Sequence, residues 1–382
     1  MNRSRWESPR LCAQMCIKPH HCRPHVARAV RHAPGRNVAP GPWARRAGSH
    51  KVQAMPASSP FSLVSWLHHA DGSPPPANLP VQQWHAWEAL CAQLTPLLMQ
   101  PRQASDFAGA LHPLAAELVA LTREDPDVAI FHMVHGSEDV LVRYSARHAV
   151  HTAMLMALIG RRKDWGDGRT ALGVKAALTM NLSIMALQDA LARQVMPLTP
   201  EQRAEIQAHP EATCQLLAEL GVNEPDWLDA VAQHHEQPDG RGYPHGLVKV
   251  HPLADAIHTC DVFSAKLSPR ASRGRLPAPQ AAAEIFRQRS AGYFGATIIR
   301  ELGLYPPGSL VDLASGERAV VLCRTADAGA PQVAVVTDAL ACPLPMPLRS
   351  GTARQGPHRV LGAAADRAGA DTFAPTTLLA LR

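Results

Sequence analysis

The sequence predicts an all-α protein: a helical bundle with a short helical layer before it and a small antiparallel β element after it. Three observations carry that prediction. Helical periodicity runs almost unbroken from Val81 to about Leu304. Beyond residue 304 the pattern changes to alternating apolar and polar residues punctuated by Gly and Pro. Before residue 79 neither a 3.6 nor a 2.0 period is sustained.

Residues 1–78 are rich in Pro, Arg, Ser and His, and stretches such as PGRNVAPGPWARRAGS and DGSPPPANLP cannot support regular structure. This segment is expected to be a disordered basic tail, with Met55 as an alternative start. Residues 1–55 hold eleven Arg and Lys against the single acid Glu7, a charge of +10. The whole chain carries +6, so the remainder is net −4. The basic character belongs to the tail and does not point to nucleic-acid binding by the folded part. Cys12, Cys16, His20, His21, Cys22 and His25 lie in the tail, at spacings that fit no closed zinc site.

Residues 79–135 read as a helical layer. Trp84, Trp87, Leu90, Leu94, Leu97 and Leu98 share one face of a first helix. Phe107, Leu111, Leu114, Leu118 and Leu121 mark a second helix, which Pro126 ends, and Val128, Ile130, Phe131 and Val134 mark a third. These are core positions.

Residues 136–305 form the main helical domain. Leu155, Leu158 and Ile159 belong to one helix, and Leu172 to Leu191 to a long apolar one. Thr199-Pro200 starts another, as N-cap and N1, and this helix carries Ile206 and His209. Residues 306–342 read as short strands, and 343–382 as a Pro-, Ala- and Arg-rich C-terminal tail. Eight scattered cysteines and the lack of a leader-like apolar segment predict reduced thiols in a cytoplasmic protein. No apolar run approaches the roughly 20 residues that span a bilayer, so no membrane association is expected.

Chemistry concentrates in residues 234–244, HHEQPDGRGYP. Two adjacent imidazoles suit divalent transition metals. The glycines after them allow a tight turn. The string resembles the signature of the HD-GYP family, metal-dependent phosphodiesterases that hydrolyse cyclic di-GMP, which implies an HD-type helical bundle. The resemblance extends through RYSARHAV, EIQAHPEATCQLL, DVFSAKLSPRASR and LGLYPPGSLVDLASGERAVV, over about residues 128–340. It implies metal ligands at His148, His209, His234, His235 and Asp261. Arg270 and Arg273 hold the family's two arginine positions and suit phosphate, whose oxygens match the guanidinium fork. A solvated basic loop would also explain them. Gly240, Gly242, Tyr243 and Pro244 form the turn implicated in the family in contacts with diguanylate cyclase domains.

The family's His-Asp pair is missing. Met180-Asn181 stands there, Ile184 replaces its lysine, and Ser264 replaces the second Asp of the Asp261 segment. A neutral amide lacks the charge and second ligating oxygen of a metal-bridging carboxylate. One metal position keeps three imidazoles, while the other keeps only His148 and Asp261. The chain is therefore expected to be a degenerate regulatory or binding module for a cyclic dinucleotide or a signalling partner. The alternative is a phosphodiesterase or phosphohydrolase working with a residual mononuclear site. One Fe, Mn or Zn ion, or an empty pocket of relic histidines, are the two expectations for the cofactor.

Overall fold

The computed structural model describes residues 78–136, 143–272, 274, 276–287, 294–364 and 369–382. The expected tail up to residue 77, its Cys/His group and Arg273 lie outside these residues. The described residues from Asn78 onward belong to one compact unit.

Helix α1 (Leu79–Met99) buries Trp84, Trp87, Leu90, Leu94 and Leu98, a stripe at helical spacing, whereas Leu97 is half-buried. Helix α2 (Phe107–Glu124) is capped by Asp106, which accepts from the Gly109 N–H at 2.8 Å. Asp125 caps α3 (Pro126–His135) through the N–H groups of Asp127 and Val128. Helix α4 (Tyr144–Arg162) is buried from Tyr144 to Gly160 almost without interruption and packs against α1, α2 and later helices. A helix enclosed on all sides carries apolar residues all round.

The apolar stretch 172–191 is not one helix. Helix α5 (Gly166–Thr179) ends at Met180, a 3₁₀ turn occupies Leu182–Ile184, and α6 (Met185–Arg193) follows. Side-chain bonding accounts for the break. Ser183 donates to the His209 carbonyl at 3.2 Å and pairs with the Thr213 hydroxyl at 2.8 Å, both on the neighbouring helix. By length and composition, residues 166–193 also pass as a membrane span, which the sequence reading did not anticipate. In the fold, 72% of that apolar window is buried inside the protein.

Helix α7 (Pro200–Glu219) opens on a full capping box between Thr199 and Gln202. Then come α8 (Pro225–Ala232), α9 (Pro252–Leu267), α10 (Ala278–Arg287) and α11 (Gly295–Leu302). Strands β1 (Leu310–Leu313), β2 (Arg318–Cys323), β3 (Gln332–Thr337), β4 (Pro343–Gly351) and β5 (Val360–Ala363) form an antiparallel sheet in the order β4-β3-β2-β1-β5.

The expected tail at 343–382 is thus corrected: it supplies both edge strands and a short helix, α12 (Pro375–Leu379), whose Leu378 and Leu379 are buried. Arg382 donates to Asp125 at 2.6 Å.

Candidate metal centre

His209 projects from α7. His234 and His235 follow the end of α8, where the chain turns into the loop leading to α9. All three are buried, and their nearest ring nitrogens lie within 4.8 Å of one another. Carbonyls three residues upstream fix two of the rings. His209 Nδ1 lies 2.5 Å from the Ile206 carbonyl and His234 Nδ1 2.6 Å from that of Val231. A carbonyl only accepts, so both Nδ1 atoms carry hydrogen and both Nε2 atoms are bare. Those two Nε2 atoms face each other at 3.1 Å.

Two lone pairs at that distance repel unless something positive lies between them. A tetrahedral cation with bonds of about 2.0–2.1 Å sets its nitrogen ligands about 3.3 Å apart. His235 adds an Nδ1 that is buried without a hydrogen-bond partner, as an ion would satisfy. The three residues fit one divalent cation.

Electrostatics agrees with that fit. Burial holds His209 down to about 3, helped by the repulsion of His234. Burial likewise brings His234 to about 4 and His235 well below its usual value. Neutral imidazole is the ligating form.

The segment after the histidines is folded around them. Glu236, itself buried, accepts from the N–H groups of His245 and Leu247 at 2.7 and 2.8 Å. Tyr243 donates its N–H to the His235 carbonyl and stacks on the His235 ring, with centroids 4.6 Å apart. A Cβ at Gly242 would sit 2.4 Å from the Glu236 Cα, so only glycine fits there. Gly240 has φ +72°, and Pro244 follows a cis peptide. Arg241 pairs with Asp239 inside the loop. The turn therefore has a structural task, which is to shape the wall behind His235.

His148 and Asp261 do not join the cluster of three. They pair with each other, His148 Nε2 to Asp261 Oδ1 at 2.6 Å, across α4 and α9. Ser264 Oγ lies 3.2 Å from the other ring nitrogen. Burial alone would raise the Asp261 carboxyl, but the His148 hydrogen bond and the surrounding imidazoles outweigh it and keep Asp261 below its usual range.

Met180 is fully buried in the hydrophobic core and Ile184 nearly so. Asn181 is buried with Oδ1 unpartnered. Arg270 is engaged by Tyr144: its Nε and Nη2 donate to the Tyr144 hydroxyl at 3.2 and 2.8 Å, and its guanidinium lies 5.2 Å from the Tyr144 ring centre.

Sequence reasoning missed His258. It sits one turn before Asp261 on α9, is buried, and donates Nδ1–H to the His234 carbonyl at 3.0 Å. Its i, i+3 spacing from Asp261 was the available signal.

Comparison with known proteins gives this geometry a family. Residues 132–298 match the HD domain. The chain is similar to cyclic di-GMP phosphodiesterase PA4108 of Pseudomonas aeruginosa, 29% identical over 185 residues, covering 47% of this chain and 44% of the relative. It is also similar to 3′3′-cGAMP-specific phosphodiesterase 3 of Vibrio cholerae, 29% identical over 142 residues, covering 37% of this chain and 31% of the relative. The chain spans less than half the length of either curated relative. Among solved structures it is similar to Bd1817, an HDG"Y"P protein from Bdellovibrio bacteriovorus, with a TM-score of 0.47 and 16% identity, covering 56% of this chain and 69% of that chain.

The helical bundle, the buried histidines and the matched region define an HD-domain protein. HHEQPDGRGYP begins with His234 and His235 themselves, and together with the HD-domain match and the similarity to a cyclic di-GMP phosphodiesterase it supports an HD-GYP family protein.

Proposed function

We propose that this chain is a cyclic-dinucleotide-binding HD-GYP module that holds one divalent cation and turns its ligand over far more slowly than a two-metal site would. The observation that carries this reading is the division of the five expected ligands. His209, His234 and His235 converge with bare nitrogens, whereas His148 and Asp261 satisfy one another.

His209, His234 and His235 would hold the cation, leaving an open position for a phosphate oxygen. When bound, the ion supplies Lewis-acid polarisation of that oxygen. The chain's own residues bind and orient. Glu236 and Gly242 hold the loop that backs His235. His258 steadies the His234 backbone.

Phosphodiester hydrolysis would also need a second positive centre or an equivalent donor. Losing a single electrostatic donor costs roughly 10²–10³ in rate. Here the bridging carboxylate is Asn181, and Met180 and Ile184 replace a ligand and a cation with core side chains. This supports a regulatory or binding role within cyclic-dinucleotide signalling, in which a diguanylate cyclase or other signalling protein would be the partner.

The test is turnover of cyclic di-GMP and 3′3′-cGAMP with Mn²⁺ or Fe²⁺, beside the double variant Met180→His, Asn181→Asp. Ligand binding without turnover by the natural sequence supports the proposal. Turnover at the rate of an active phosphodiesterase defeats it, and two metal ions per chain would defeat the single-ion reading.

A further inference from the structure

Ser264 presents a hydroxyl to His148 where a carboxylate would change what the ring can do. His148 Nε2 stands 2.6 Å from a carboxylate oxygen of Asp261. At that distance the nitrogen must carry a proton, because two lone pairs would repel. The other ring nitrogen then needs a donor, and the buried Ser264 hydroxyl at 3.2 Å can give one. An aspartate at 264 could only accept, which would demand N–H on Nδ1 and so allow Nε2 to give up its proton to a metal ion. The ring has little freedom to escape this choice. It is buried and stacks on Tyr144 with an interplanar angle of 5° and centroids 5.9 Å apart, and Arg270 grips the Tyr144 hydroxyl from above.

We infer that Ser264 is a positioning residue that, by donating to Nδ1, lets Asp261 hold His148 in the Nε2–H tautomer, so that His148 and Asp261 form a hydrogen-bonded pair and accept no metal ion. The inference deepens the single-ion reading above but does not stand or fall with it, since the tautomer exists in the metal-free protein too.

The experiment is long-range ¹H–¹⁵N NMR of the full chain labelled at histidine, without metal and with Zn²⁺, together with metal analysis. His148 is assigned by loss of its signals in His148→Asn. The expected result is an Nε2–H ring for His148 in both states, one zinc per chain, and zinc-dependent changes at His209, His234 and His235 only. In Ser264→Asp the His148 Nδ1 should gain a proton, and its signals should become zinc-sensitive.

An Nδ1–H or doubly protonated His148 in the natural sequence overturns the inference. So does a His148 whose signals respond to zinc as those of His209 do. If Ser264→Asp fails to fold, the natural protein's spectra still decide. If zinc perturbs none of the three clustered histidines, the single-ion reading fails while the tautomer of His148 remains measurable.

Discussion

Replacing Glu236 by glutamine should loosen the loop behind His235 without touching a proposed ligand. The carboxylate accepts two backbone N–H groups, at 2.7 Å from His245 and 2.8 Å from Leu247, and is itself 1% exposed. Glutamine offers one oxygen and one NH₂, so one of the two backbone donors would face another donor. A hydrogen bond to a charged group is worth about 1.5–3 kcal/mol, and Glu236→Gln forfeits one of them. Glu236→Ala forfeits both, about 3–6 kcal/mol on the same scale, lowered where water reaches the freed donors. Urea unfolding of the metal-free protein reads the loss directly. Zinc titration reads the second consequence, since Tyr243 stacks on His235 and takes its position from this loop. Zinc affinity should fall in both variants, more in the alanine. Stability within about 0.5 kcal/mol of the natural protein, the ordinary span of neutral surface changes, would refute the reasoning. So would a glutamine variant as damaged as the alanine one.

Loading the site should also stabilise the fold. An ion that binds only the folded chain at a hundredfold excess over its Kd adds about 2.7 kcal/mol. The resulting rise in Tm should vanish in His234→Ala, which a thermal melt with and without Zn²⁺ will check. pH should act on the metal-free protein from two sides. His209 and His234 titrate near 3 and 4 when folded, against about 6.5 unfolded. The unfolded chain therefore binds more protons in acid, and stability falls as pH drops from about 6.5 towards 4, by up to about 1.4 kcal/mol per pH unit for each ring. His132 has the opposite sign. Burial would lower it, but Cys91 and Glu88 beside it prevail and raise it to about 9. Its contribution is complete below about 6.5 and is lost as pH rises through about 9. Urea unfolding across pH should show the acid limb flatten in His209→Asn and the alkaline limb flatten in His132→Asn; unchanged slopes would contradict both assignments.

Local chemistry was the legible part of the sequence. The stripe from Trp84 to Leu98 and the Thr199 N-cap follow from patterns within a few residues, and the grouping of the three histidines follows from the family resemblance. What escaped depends on partners far apart in the chain. Pairing of His148 with Asp261 spans 113 residues and that of Arg270 with Tyr144 spans 126. A spacing argument sees an arginine fit for phosphate and not the tyrosine that two of its N–H groups reach. The break after α5 escaped because the stretch is mostly apolar, while its cause is a bond from Ser183 to α7. Strand β4 was hidden by Pro343, Pro345 and Pro347. Proline is tolerated in a strand at the edge of a sheet, which is where β4 lies.

The contact between Arg382 and Asp125 ties the C-terminal end of the described fold to the start of α3. Asp125 uses one carboxylate oxygen to start α3 and lends the other to Arg382. A truncation before Pro375 would remove that anchor together with Leu378 and Leu379, and the damage would surface in α3, which carries His132. Shortened versions cut to isolate the bundle would therefore understate what the bundle does when intact.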